Sequence, residues 1–261
     1  MSNDFFSFRR FCDYLRKLLT ERWRTLAVTA AVLLGIMIIG EIWTAVQGYS
    51  IYLADKSFSS KSDNIVDILT IEASILFLVG GCIAASRQFY DGEKKAGRIH
   101  VLTTPVSTFE SWLTRWVIFV PGYAVVFMAC LYLADLLRYA VFAPMLPSGQ
   151  VEIINLLNPR VFKDGMYPHV WQIYFFVTSW FALGSYFFPK RPLMSTAVCM
   201  FIIALVFFFV IISGVAEWFV LNDRQTGILQ TTAWIWIGLH TLLNWWLSYQ
   251  RLKEMEVIDR H

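Results

Sequence analysis

Four carboxylates stand within or at the ends of strongly apolar runs: Glu41, Glu72, Asp135 and Glu217. Carrying an ionised side chain to the middle of a hydrocarbon layer costs at least about 2.5–3.5 kcal/mol, so such a group faces a cavity or a partner. Glu72 lies deepest in its run, and Glu41 lies toward the far part of its own. Glu41, Glu72 and Glu217 are therefore the candidate functional charges of the apolar region. For Glu41, Asp135 and Glu217 the plainer alternative is snorkelling to an interface or pairing with a neighbouring span. Asp135 and Arg138, three residues apart, could pair on one helix face.

Nucleophilic and metal chemistry find little support. The histidines are His100, His169, His240 and His261, and neither an HExxH nor a GxSxG motif occurs. Cys12, Cys82, Cys130 and Cys199 have no paired spacing, and three of them fall inside apolar runs. They read as small hydrophobes rather than a disulfide framework or a zinc site. No GxxxxGK[ST] phosphate loop is present. Gly80-Gly81 lies within an apolar run and reads as a point of close helix packing. Phe201, Phe207, Phe208, Phe209, Trp234, Trp236, Trp245 and Trp246 suit lipid-facing bulk and interfacial belts, or an aromatic path for an amphipathic substrate.

The elements that must position these residues follow from hydropathy. Of 261 residues, 57 % are hydrophobic and 16 % charged, and the mean hydropathy is +0.54. Soluble domains average roughly 45–50 % apolar and about 25 % charged, so the apolar excess must face lipid. Spanning helices need about 20 mostly apolar residues. Six runs qualify: 26–46, 66–86, 116–137, 170–188, 193–213 and 231–249. Ser213-Gly214 and Glu217 argue for a break after the fifth. Pro121-Gly122 is placed to kink the third, which neighbouring helices can accommodate. The first apolar run begins behind a charged, aromatic segment and lacks a small-residue cleavage site, so no cleavable signal peptide is expected.

Lys and Arg fall sixteen on the side of the N-terminus, the second and fourth connections and the tail, against six on the other. By the positive-inside rule both termini are cytoplasmic. Residues 1–25 carry Phe8, Phe11, Leu15 and Leu18 at three- and four-residue steps, widened by Phe5, Tyr14 and Leu19. Arg9, Arg10, Asp13, Arg16, Lys17, Thr20 and Glu21 fill most of the rest. This pattern predicts an amphipathic helix lying in the cytoplasmic interface, with Trp23 as an anchor. It serves either to orient the first span or to couple cytoplasmic events to it.

Between the second and third spans the chain reads FYDGEKKAGRIHVLTTPVSTFESWLTRW (89–116). Helix–helix connections usually take about 2–8 residues, so a polar stretch of this length implies a dedicated structure. The spacing predicts that the second helix continues through Glu93 and ends over Lys94 to Gly97, with Gly97 as a left-handed cap. A short helix over Arg98 to Thr104 is then halted by Pro105. Ser107 or Thr108 caps the next helix, and Glu110 sits near its positive end. The expected product is a projecting elbow exposing Asp91, Glu93, Lys94, Lys95 and Arg98, a surface suited to another protein.

Glu93, Gly97, the apolar turn Ile99, Val101, Leu102, then Thr104-Pro105-Val106-Ser107 with Trp112 and Arg115, resemble the cytoplasmic loop of type-2 ABC exporter permeases. The sequence likeness covers about 25 residues, while six spans with both ends inside extend it in architecture. Arg98 stands where that family often has Thr, and the outside segment between spans three and four, about 30 residues, is longer than expected. The resemblance implies an all-α membrane protein: six transmembrane helices (26–250), an amphipathic connecting helix before them (1–25), a coupling elbow between helices 2 and 3, and a cytoplasmic tail (251–261). It also implies a short re-entrant helix around Glu217 closing the external exit. On that footing the chain is not an enzyme and carries no cofactor. ATP and Mg belong to a separate ABC ATPase subunit, which docks on Asp91, Glu93, Lys94, Lys95, Gly97, Arg98 and Pro105. A second permease copy, identical or related, completes the exporter in a bacterial plasma (inner) membrane, surrounded by lipid and without nucleic acid. Two other readings stand beside it, a non-transporting scaffold or assembly subunit and, with less support, an intramembrane enzyme.

Overall fold

The computed structural model describes residues 5–54, 62–89, 97, 99, 103–146, 151, 153–154, 170–188, 190–218 and 223–254. Most of these residues lie in seven helices, Gly97, Ile99 and Thr103 are helical outside those seven, and no strand occurs among the described residues. They are α1 (Phe8–Ala54), α2 (Ser62–Ser86), α3 (Thr108–Phe119), α4 (Pro121–Phe142), α5 (Val170–Phe187), α6 (Pro192–Trp218) and α7 (Asp223–Lys253). The described stretches Phe8–Ser50, Ile65–Ser86 and Thr108–Phe142 are long and apolar enough to cross a membrane. Among the described residues the chain is thus all-helical, with three stretches suited by length and composition to cross a membrane. The three later runs are also helical, and Pro192–Val206 is a shorter apolar stretch.

Two compact units divide the chain. One comprises Met1–Tyr14, Gly81–Val120 and His169–His261; the other comprises Leu15–Gly80 and Pro121–Pro168. In the second unit the inward positions recur at helical steps. Met37, Glu41, Ala45 and Tyr49 line one face of α1, Leu69, Ala73 and Phe77 one face of α2, and Phe127, Leu131, Ala134 and Arg138 one face of α4. Ile36, Ile39, Trp43, Ile71, Ile75 and Val125 point outward. In the first unit α5 packs on α6 and α7, and α3 packs on α7. Phe89, Trp112, Tyr186 and Leu252 form its buried cluster.

Several boundaries differ from those the sequence predicts. The amphipathic segment and the first span form a single helix of 47 residues, about 70 Å at 1.5 Å per residue. Polarity changes near residue 25, but no Gly or Pro interrupts Thr20 to Ala31, so nothing breaks the backbone ladder. Tyr14 and Leu18 are buried, whereas Phe8, Leu19 and Trp23 are exposed. The second helix ends at Ser86 rather than near Glu93. Arg87 and Gln88 N–H groups close tight turns on the Ala84 and Ala85 carbonyls, and Phe89 turns into the buried cluster. Gly97 is itself helical and does not terminate a helix. Ser213-Gly214 leaves α6 unbroken through Trp218, so Glu217 belongs to that helix and not to a separate re-entrant one.

Other local expectations hold. Pro121 separates α3 from α4 at Val120, whose carbonyl accepts a hydrogen bond from Tyr174 Oη (2.8 Å). A Cβ on Gly80 would meet the Tyr123 hydroxyl, and one on Gly81 would lie 2.6 Å from the Tyr174 ring. Both glycines therefore admit a neighbouring ring, as close packing requires.

Candidate functional site

The elbow's descending arm is built on Ser107. Its hydroxyl accepts from the Glu110 N–H (3.1 Å), and the Glu110 carboxylate accepts from the Ser107 N–H (3.0 Å). This reciprocal capping box satisfies two N–H groups that a helix start otherwise leaves open. Ahead of it, Gly97, Ile99 and Thr103 are helical, the Thr103 hydroxyl donates to the Ile99 carbonyl (2.8 Å), and Thr104 to Val106 bend around an exposed Pro105. Asp91, Glu93, Lys94, Lys95 and Arg98, the expected docking charges, lie outside the described residues.

Glu110 also fastens the N-terminal segment. Its Oε1 accepts from the Ser7 N–H (2.6 Å) and from Arg10 Nη2 (3.0 Å). The Ser107 hydroxyl donates to the Phe5 carbonyl (2.9 Å), and the Phe5 ring stacks on Phe109 with centroids 4.9 Å apart. Burial alone would raise this carboxyl's pKa. The Ser7 N–H, the Arg10 guanidinium and the Ser107 N–H outweigh it and hold Glu110 below the usual carboxylate range. Residues about 100 apart in sequence thereby become one piece. The sequence marks Glu110 as a helix-start acid, but no local rule pairs it with Ser7 or Arg10.

Deeper on α3, Trp112 Nε1 donates to Ser248 Oγ of α7 (2.8 Å). Arg115, buried, makes long contacts to Tyr14 Oη (3.4 Å) and the Gln88 carbonyl (3.5 Å), and its guanidinium lies over the Phe89 ring. The motif residues Trp112 and Arg115 thus tie α3 to its own unit rather than facing outward. On α7, His240 stacks against Trp236 and packs beside Trp180 and Phe176. His169 lies outside the described residues.

Three of the carboxylates in apolar runs, Glu41, Glu72 and Asp135, belong to the other unit. Arg138, fully buried, donates through Nε to Asp135 Oδ1 (2.8 Å) and through Nη1 to Tyr49 Oη (3.0 Å). Asp135 Oδ2 accepts from the Ile154 N–H (2.7 Å). The predicted pairing on one helix face is present, and a tyrosine on α1 extends it. Glu72 accepts from the Thr44 hydroxyl at 3.1 and 3.2 Å. Glu41 is 6 % exposed, neither of its oxygens has a hydrogen-bond partner, and the charges acting on it are Asp135, Arg138 and Glu72. The structure brings Glu41 and Glu72 to one cluster with Asp135 and Arg138. Glu217 has a described backbone only.

Against known proteins, no family model matches the chain, and no curated protein or solved structure matches it.

Proposed function

We propose that this chain is the transmembrane permease subunit of an ATP-driven exporter of the type-2 ABC class. In this reading a separate ATPase subunit supplies hydrolysis, and the chain turns that subunit's movement into rearrangement of its spans. The supporting observation is the joint at Glu110. A docking elbow is useful only if force applied to it reaches a spanning helix. Here one carboxylate joins the elbow's capped arm to Ser7 and Arg10 at the start of α1. The bend at Thr104 to Val106 and the capped start of α3 agree with the elbow expected from Thr104-Pro105-Val106-Ser107.

The finer features belong to the same proposal: six spans, both termini cytoplasmic, a bacterial inner membrane, and a second permease copy, identical or related, matching two ATPase subunits. The test is to purify the chain in mild detergent from its native membrane and identify accompanying proteins by mass spectrometry. A parallel sample carries Glu93→Arg with Lys94→Glu. Co-purification of an ATPase with a phosphate loop, lost in the double variant, is the expected result. Absence of any such ATPase across several detergents refutes the permease reading and favours a scaffold.

A further inference from the structure

Glu41 has no structural explanation in what precedes. It sits on the inward stripe of α1 between Met37 and Ala45, away from the outward residues Ile39 and Trp43. Snorkelling is therefore closed to it. A buried carboxylate persists only when hydrogen-bonded or paired, and neither oxygen of Glu41 meets a donor. The charged groups around it are Glu72 on α2 and Asp135 and Arg138 on α4, with Tyr49 about two turns further along α1. Among these described residues are three carboxylates and one guanidinium. That guanidinium donates to Asp135 and to Tyr49, while Glu72 meets a hydroxyl. Glu41 thus needs a positive charge that its neighbours do not bring to hydrogen-bonding distance. The cluster is not a metal set, because among the described residues no three His, Cys, Asp or Glu side chains are grouped to hold an ion. The cation that requires no volume is the proton.

We infer that Glu41 is a proton-binding site, holding its carboxyl as the neutral acid in this packed arrangement of α1, α2 and α4. The step is a simple association: one proton adds to one carboxylate oxygen, and nothing else is consumed or released. Movement of α1 that brings water or the Arg138 guanidinium to Glu41 frees the proton. The packed and rearranged states then differ by one proton, whatever drives the change. The inference is independent of the ATPase reading, since it concerns one side chain in the isolated chain.

Infrared spectroscopy of the purified chain in an ester-free detergent tests it directly. At neutral pH the wild type is expected to show a protonated-carboxyl C=O band that is lost in Glu41→Gln and kept in Glu72→Gln. Gln has the shape of the neutral acid, so Glu41→Gln is expected to purify and fold like the wild type. Should that variant not fold, wild type and Glu72→Gln labelled with carbon-13 at the glutamate carboxyls decide the matter. A band that shifts on labelling in both supports the site. No such band in the wild type, a band surviving Glu41→Gln, or a band unmoved by labelling overturns it.

Discussion

Replacing Glu110 by Ala asks whether one carboxylate holds the N-terminal segment to α3. The substitution takes the acceptor from the Ser7 N–H and the Ser107 N–H, each worth roughly 1 kcal/mol. It also removes the partner of Arg10, whose side chain is 37 % exposed, so that pair contributes about 0.5 kcal/mol after solvent screening. The segment's opening free energy should therefore fall by about 2–3 kcal/mol. At 1.4 kcal/mol per factor of ten this is roughly a 30- to 150-fold rise in the open population. Limited trypsin digestion reads it, because cleavage after Arg9 and Arg10 tracks that population when reclosure is fast. Cleavage further along α1, after Arg16 and Lys17, is expected to stay unchanged and serves as the internal reference. Equal cleavage rates after Arg10 in wild type and Glu110→Ala would refute the joint and remove the observation on which the exporter proposal rests.

Other consequences are as direct. Arg138→Met leaves Asp135 buried against a single N–H donor and should cost about 3–5 kcal/mol, read as a lowered midpoint of tryptophan-monitored thermal unfolding; Asp135→Leu added to it should recover part of the loss. Gly184→Ala drives a methyl into Thr196 and should cost about 1–3 kcal/mol, whereas Gly35→Ala meets no atom within 4 Å and should be neutral or stabilising by up to roughly 1 kcal/mol. Ser248→Ala orphans Trp112 Nε1 and should lower the same midpoint by about 1–3 kcal/mol equivalent. Glu110 is held below its unfolded pKa, so its contribution is present above that unfolded value and is lost as pH falls through the folded one; across that acidic window the wild-type midpoint should fall more steeply than that of Glu110→Gln.

Local chemistry made much of this architecture legible. The Ser107 cap, the acid at Glu110, the interruption at Pro121, the close approach at Gly80-Gly81 and the Asp135–Arg138 pair all obey rules spanning four residues or fewer. The differences arise where a boundary was drawn from polarity. Residues 20–31 change from charged to apolar without a Gly or Pro among them, so α1 runs straight through the expected joint. Conversely, α2 stops at Ser86 because Phe89 finds Tyr186 and Trp112, contacts made across about 97 and 23 positions of chain. Ser7, Arg10 and Tyr49 carried no sequence signal for the same reason. Their partners lie 89 to 103 residues away, and hydropathy does not record which distant helix a side chain will meet.

The placement of Asp135 and Arg138 on consecutive turns of α4 also bears on how the protein is made. Opposite charges three residues apart can neutralise each other as soon as that helix winds, before any other helix is beside it. The fourth helix can therefore leave the insertion machinery already compensated. Glu41 and Glu72 emerge earlier and on separate helices, so α1 and α2 meet the lipid before Arg138 has been synthesised. Assembly of α1, α2 and α4 thus ends when the last of the three arrives, and the ion pair it brings is the one part of the cluster that never has to wait.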